Sequence, residues 1–341
     1  MQSARFMNRR GFLGSTLGGL AGLALAGVAQ AQSGPVIKIA ASRNAAAPVW
    51  NLANVSERFG FRVEMSVLFT YAEQARAAQT GQTSSATCGI DTMATVADQG
   101  IPNLRYIAAD QYGGQNLVMR AGVEAATWSG LEGKTIGVVP GTWARVLFLI
   151  AAKEGGADIG KIKLTNVSVG ATAQEALRRG NVDGVVLFTP QCDQLVAAGI
   201  GHYPPKLDIG ASSLGSANSG LLATTELLSD KPLATNFMRA YLASMQEVQD
   251  VAVFTRLVTN LTGVTPEVAA LSFRNQVFSE KIDVKAIVGA AKLGQQFGFT
   301  KSDTSAKVES LIDFGPLMAA TGKSRAELIG PPKEALALVR R

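Results

Sequence analysis

The stretch VVPGTWARVLF, residues 138–148, joins an apolar run to a helical pattern through Pro140-Gly141 and places Arg145 in the first helical turn. A helix N-terminus carries free backbone N–H groups and the positive end of the macrodipole, so it accepts anions. A cation there opposes the dipole unless a negative group balances both. Arg145 therefore has two roles open to it, a clamp on a carboxylate or sulfonate, with bidentate geometry available, or the partner of a surface acid. Gly141 provides the tight turn. Thr142 either caps the helix or offers its hydroxyl to a ligand, and Trp143 is either core or the wall of a cleft.

Four other apolar runs end on residues able to hold a ligand. Ser42-Arg43 follows VIKIAA, Thr70-Tyr71 follows RVEMSVLF, Asp91-Thr92 follows SSATCGI, and Thr189-Pro190-Gln191 follows NVDGVVLF. Arg43 is the counterpart of Arg145, with the same two roles. Thr70, Tyr71, Thr92, Thr189 and Gln191 are hydrogen-bonding candidates. Asp91 is expected first to cap the helix after it; if it faces a cleft, it can receive an amine. These residue types bind rather than react. The single histidine, His202, lies in the turn-like GIGHYPPKL, and two cysteines make neither a disulfide framework nor a metal cluster. Cys88 and Cys192 are expected to be free and buried. With no activated nucleophile or Gly-rich phosphate loop, no catalytic residue, metal or cofactor is expected.

The elements that must position these residues alternate strand and helix. VIKIAA, a helix from Ala46 to Arg58, RVEMSVLF, the helix YAEQARAAQ and SSATCGI come first. From Lys134 the order repeats: KTIGVV, a helix from Ala144 to Glu154, IKLTNVSV, the helix TAQEALRR and NVDGVVLF. The repeat sets Ser42 against Thr142, Thr70 against Ala171 and Gly81 against Gly180. Two β-α-β-α-β units predict an α/β protein of two lobes, each a mainly parallel sheet flanked by helices. Ligands of such sheets lie beyond the carboxyl ends of the strands, which is where the candidate residues stand. A ligand cleft between the lobes follows. Lobe 1 is assigned residues 36–119 and 216–335, and lobe 2 residues 120–215. Hinge crossings are expected near 118–123 and 210–220, where small residues can absorb a φ/ψ change. Later, NFMRAYLASMQEVQDVAVF brings Phe237, Met238, Tyr241, Leu242, Met245 and Val248 to one packing face.

The chain of 341 residues is 47% apolar and 17% charged, enough for two domains with a sizeable core. Its formal charge of +6 is partly that of residues 1–31, which hold Arg5, Arg9 and Arg10 and no acid. The remainder has 29 basic and 26 acidic residues and no Lys/Arg run, so nucleic-acid binding is not expected. The first 31 residues read as an export signal: the Arg9-Arg10 pair, a Gly/Ala/Leu-rich stretch and the small-residue site Ala29-Gln30-Ala31. The arginine pair resembles the bacterial twin-arginine signal. Cleavage after Ala31 and a periplasmic mature chain without a membrane span are expected.

LEGKTIGVVPGTWARVLFLIAAKEGG, ALRRGNVDGVVLFTPQCDQLVAAG and NLANVSERFGFRVEMSV resemble the nitrate, sulfonate and taurine group of periplasmic solute-binding proteins of ABC importers. That group also covers binders of thiamine precursors, and the resemblance spans nearly the whole mature chain. It implies the type II periplasmic binding protein fold, with ABC permease and ATPase subunits as partners of a monomer. The implied ligand is a small organic anion, a sulfonate, taurine or carboxylate, or else nitrate. A neutral thiamine-type pyrimidine and a sensor-coupled role are the alternatives. The thiamine-pyrimidine synthases of this fold need a cysteine-rich iron site and a histidine that the chain lacks, so an enzyme is not expected. Two departures concern the ligand. Gly141-Thr142-Trp143-Ala144-Arg145 stands where sulfonate binders often have Gly-Ser-x-x-His, and LFTPQCDQ replaces a frequent Trp-x-Pro. Of the paired Gly-Gln-Val-Asp turns, Gly180 to Asp183 is kept and Gly81 to Ser84 is not.

Overall fold

The computed structural model describes residues 34–338 other than Ala45 and Val169, so the expected export signal at residues 1–31 lies outside the described residues. The first unit runs β1 (Val36–Ala41), α1 (Ala47–Val55), β2 (Arg62–Val67), α2 (Tyr71–Gln79), β3 (Ser85–Gly89) and α3 (Thr92–Asp98). Ile37, Ile39, Ala40 and Ala41 of β1 are buried, as a central strand covered on both faces requires. α1 carries Pro48 in its first turn, where the fixed φ suits the helix and no N–H is missed. α2 opens on a capping box in which Thr70 N donates to Glu73 Oε2 at 2.9 Å and Glu73 N donates to Thr70 Oγ1 at 3.2 Å.

After β4 (Leu104–Gly113) and β5 (Gln115–Arg120) the pattern repeats. The second unit is β6 (Thr135–Val138), α4 (Trp143–Glu154), β7 (Lys163–Asn166), α5 (Ala171–Arg178), β8 (Gly184–Phe188) and α6 (Gln191–Ala197). Then follow β9 (Gly201–His202), β10 (Ala217–Thr224), α7 (Thr225–Ser229), α8 (Lys231–Glu247), α9 (Val251–Thr262), α10 (Pro266–Arg274), β11 (Gln276–Phe278) and α11 (Val284–Leu293). Short helices between 305 and 338 complete the described chain.

The strands form two sheets, ordered β11-β4-β10-β3-β1-β2 and β7-β6-β8-β5-β9. Within each, the three strands of the repeated unit are parallel, and an antiparallel strand lies beside the third. That antiparallel strand is the first one after a change of sheet: β10 beside β3, and β5 beside β8.

The first crossing is not at 118–123. Val118 to Arg120 belong to β5, with Val118 and Met119 buried, and the chain changes sheets at Gly113-Gly114. Gly114 has φ 73°, and a Cβ there would fall 2.2 Å from Gln111 Nε2 and 2.9 Å from Thr189 Oγ1, so only glycine passes. The return lies between His202 and Ala217, and residues 217–220 are already strand. α8 packs on α1 with Phe237, Met238, Tyr241, Met245 and Val248 buried, each large side chain contributing about 1.5–3 kcal/mol by leaving water; Leu242 is half-buried.

Candidate ligand-binding cleft

The carboxyl ends of the parallel strands in both sheets open onto one cleft of about 1120 Å³. From the first sheet it is lined by Ser42 and Arg43 after β1, Thr70 and Tyr71 after β2, and Asp91 and Thr92 after β3. From the second come Gly141, Thr142 and Trp143 after β6, and Gln191 after β8. The strand-end rule thus brings together residues as far apart in sequence as Ser42 and Gln191.

Two expected residues stand elsewhere. Arg145 does not line the cleft, which corrects its expected role as an anion clamp there. It follows Trp143 by two positions on α4, about 200° further round at about 100° per residue, so the helix that turns Trp143 inward carries Arg145 away. Arg145 is half-buried. Thr189 also misses the cleft: it is buried, its N donates to Gly114 O at 2.7 Å, and its hydroxyl lies beside Gly114 at the sheet crossing.

Gly141, with φ 67°, turns the chain from β6 into α4. Thr142 stands at the N-cap, yet its Oγ1 donates to Val139 O at 2.8 Å instead of capping. α1 also lacks a side-chain cap. By contrast α8, α9, α10 and α11 are capped by Asp230, Asp250, Thr265 and Asp283. The α4 amide end, at the cleft through Thr142 and Trp143, is left open, and an anion there would be favoured by about 0.3–1 kcal/mol. Trp143 stands both in the core and at the cleft. It lines the cleft while 2% exposed, and its Nε1 donates to Ala217 O at 3.3 Å.

The charges are mixed. Arg43 and Arg76, the latter on α2 and not foreseen, line the cleft as exposed cations. Glu73 lies beside them, held below the usual carboxylate range by the Thr70 amide and hydroxyl. The Thr70 hydroxyl is engaged in the same capping box. Asp91 does not cap α3: its side chain accepts no capping bond, and its buried Oδ1 has no partner. That oxygen lies over Gly89, where a Cβ would fall 2.3 Å from it, beside the Tyr71 ring. Burial, opposed by the amides of Asp91 and Thr92, pushes the carboxyl up to about 6. Burial, then the charge of Asp110, raises the Tyr71 phenol.

Sequence reasoning missed Gln115, the first residue of β5. The Gly113-Gly114 pair was its signal, since such a pair marks a turn where a chain can change sheets. Phe69, Phe188 and Phe299 were also missed; Phe69 and Phe188 each end an apolar run beside a named candidate, whereas Phe299 arrives from the distant C-terminal part. Phe69 is 86% exposed at the cleft. Cys88 and Cys192 are free and buried. His202 lies in β9 rather than a loop, with Glu124 Oε2 at 3.6 Å. Among the described residues, no cluster of His, Cys, Asp or Glu could hold a metal ion, and no helix is long and apolar enough to cross a membrane.

Two mixed α/β sheets, with one cleft across the carboxyl ends of their parallel strands, define the fold of the periplasmic binding proteins. The chain matches the NMT1/THI5-like family over residues 63–250 and belongs to it. No curated protein matches the chain. Solved structures do. The ligand-binding component of an ABC-type import system from Staphylococcus aureus, with zinc bound, is 15% identical; 85% of this chain and 99% of that one superpose with a TM-score of 0.70. The alkanesulfonate-binding protein SsuA from Xanthomonas axonopodis pv. citri, bound to MOPS, is 17% identical over 83% and 99%, with a TM-score of 0.66. The periplasmic nitrate-binding protein NrtA from Synechocystis PCC 6803 is 13% identical over 85% and 89%, with a TM-score of 0.69. At such identities the likeness shows the fold.

Proposed function

We propose that this protein is an exported solute-binding component of an ABC importer, which holds a small organic anion in the cleft and hands it to a membrane permease. One observation carries the reading: the strand ends of both sheets line a single cleft, with the cation Arg43 on one side and the open α4 terminus on the other. A ligand touching both sides stabilises the conformation in which it touches both, and that conformation is what a permease can recognise. No bond need be made or broken. The import components and sulfonate and nitrate binders among the structural neighbours support the transport role. The size of the cleft and the aromatic walls of Tyr71, Trp143 and Phe188 favour a ligand with a carbon body over nitrate. The protein acts as a monomer outside the cytoplasm once residues 1–31 have directed its export.

The test is the melting temperature of the purified protein with alkanesulfonates, aliphatic and aromatic carboxylates, and nitrate, beside Arg43→Ala. A rise with an organic sulfonate or carboxylate that Arg43→Ala abolishes supports the reading. A rise with neutral compounds alone, or one that survives Arg43→Ala, overturns the anionic ligand.

A further inference from the structure

Two residues that line the cleft each carry a buried acceptor without a partner, Asp91 Oδ1 and Gln115 Oε1. Gln115 is 6% exposed. Its orientation is fixed by neighbours: Gln115 Nε2 donates to Asn218 Oδ1 at 2.6 Å, and Asn218 Nδ2 donates to Gly113 O at 2.8 Å. Reversing the Gln115 amide would set oxygen against oxygen, and reversing Asn218 would do the same at Gly113, so Gln115 Oε1 is held as an acceptor. The same Asn218 anchors the approach to Asp91, because Ile90 N donates to Asn218 O at 3.2 Å. Gly89 leaves the space that the Asp91 oxygen occupies. One residue of β10 therefore bonds both the Gln115 amide and the backbone that leads into Asp91. Buried acceptors without donors are destabilising, and a carboxylate more so than an amide. Two at one cleft wall call for a ligand that brings N–H groups.

We infer that the solute carries an amino group, which donates to Asp91 Oδ1 and Gln115 Oε1 while its acidic group faces Arg43. The inference rests on the solute-binding reading above and narrows it to amino-substituted organic acids. The amine and Asp91 form a charge-assisted hydrogen bond, and Gln115 supplies the neutral second acceptor. Tyr71, beside the Asp91 oxygen, gives the adjoining carbon a ring face to pack on.

Titration calorimetry with matched pairs tests this: taurine with ethanesulfonate, beta-alanine with propionate, and para-aminobenzoate with benzoate. In at least one pair the amino member is expected to bind tenfold or more tightly, roughly one charged hydrogen bond. Asp91→Asn should bring that ratio close to one, and Gln115→Leu should reduce it. Unliganded melting curves of both variants establish that they fold. Unaminated members binding as tightly as their partners, or a preference that survives Asp91→Asn, would overturn the inference and leave the organic-anion reading standing. Binding by no member of any pair overturns that reading and this inference with it.

Discussion

Ser272 Oγ donates to Asp193 Oδ2 at 2.6 Å, joining α10 to α6, the helix that follows the last parallel strand of the second sheet. Asp193 is fully buried and also accepts from Asn275 Nδ2 at 2.6 Å and from the Tyr203 hydroxyl. A buried carboxylate is tolerated only while such donors surround it. Ser272→Ala removes one of them and is expected to lower the unfolding free energy by about 1–3 kcal/mol. Urea denaturation measures this directly; an unchanged midpoint at unchanged slope would show that the bond contributes nothing.

Arg145→Ala is expected to leave ligand binding as it is and to change stability by no more than about 0.5 kcal/mol, since the guanidinium lies off the cleft. Comparing its titrations with those of Arg43→Ala separates the two arginines that the sequence treats alike. A loss of affinity in Arg145→Ala equal to that in Arg43→Ala would reverse the assignment.

Asp110 is fully buried, accepts from the Tyr241 hydroxyl at 2.9 Å, and is pushed up to about 6 by burial, the Tyr241 and Ser219 hydroxyls opposing the shift. A carboxyl raised in the folded state keeps its proton where the unfolded chain, near 3.8, has released it. Its penalty is thus absent below the unfolded value, grows as pH rises between the two values, and is complete above the folded one. Asp110→Asn keeps an acceptor for Tyr241 and removes the charge. The variant is expected to gain about 1–3 kcal/mol over the parent near pH 7 and almost nothing near pH 3.5. Paired denaturation curves at the two pH values test the sign.

Gly89→Ala would set a methyl group 2.3 Å from Asp91 Oδ1 and 3.0 Å from the Tyr71 ring. Both groups line the cleft, so the substitution is expected to weaken the binding of an aminated ligand about tenfold or more, as displacing one charged hydrogen bond does. Wild-type affinity in this variant would show that Asp91 can move without consequence.

Burial raises the thiols of Cys88 and Cys192 well above their ordinary value. The thiolate is the reactive form, so neither should react with a thiol-specific disulfide reagent in the native protein, and both should react in denaturant. Rapid native labelling of either residue contradicts the burial described here.

The twofold β-α-β-α-β pattern, the helix starts and the strand-end positions of Ser42, Thr70, Asp91, Gly141 and Gln191 were legible because each depends on local spacing and turn chemistry. The separation of Trp143 from Arg145 was not read from the sequence, although two helical positions differ by about 200°. Whether both reach a cleft depends on how the helix end meets it, since Tyr71 and Glu73, also two apart, both line it. The first change of sheet was misplaced because 118–123 and 113–114 both contain glycine. Only the pairing of β5 with β8 shows which stretch is strand and which is crossing.

By itself the sequence determined that two similar α/β units would present polar residues at the carboxyl ends of their strands, since periodicity and turns act over a few neighbours. Tertiary structure alone decided which of those residues kept a partner. Thr70 found Glu73 three positions away, but Gln115 is held by Asn218, 103 residues distant. Asp91 meets no donor at all for Oδ1. A hydrogen bond left open is a property of everything packed around it, and those neighbours are assembled only when both sheets have formed.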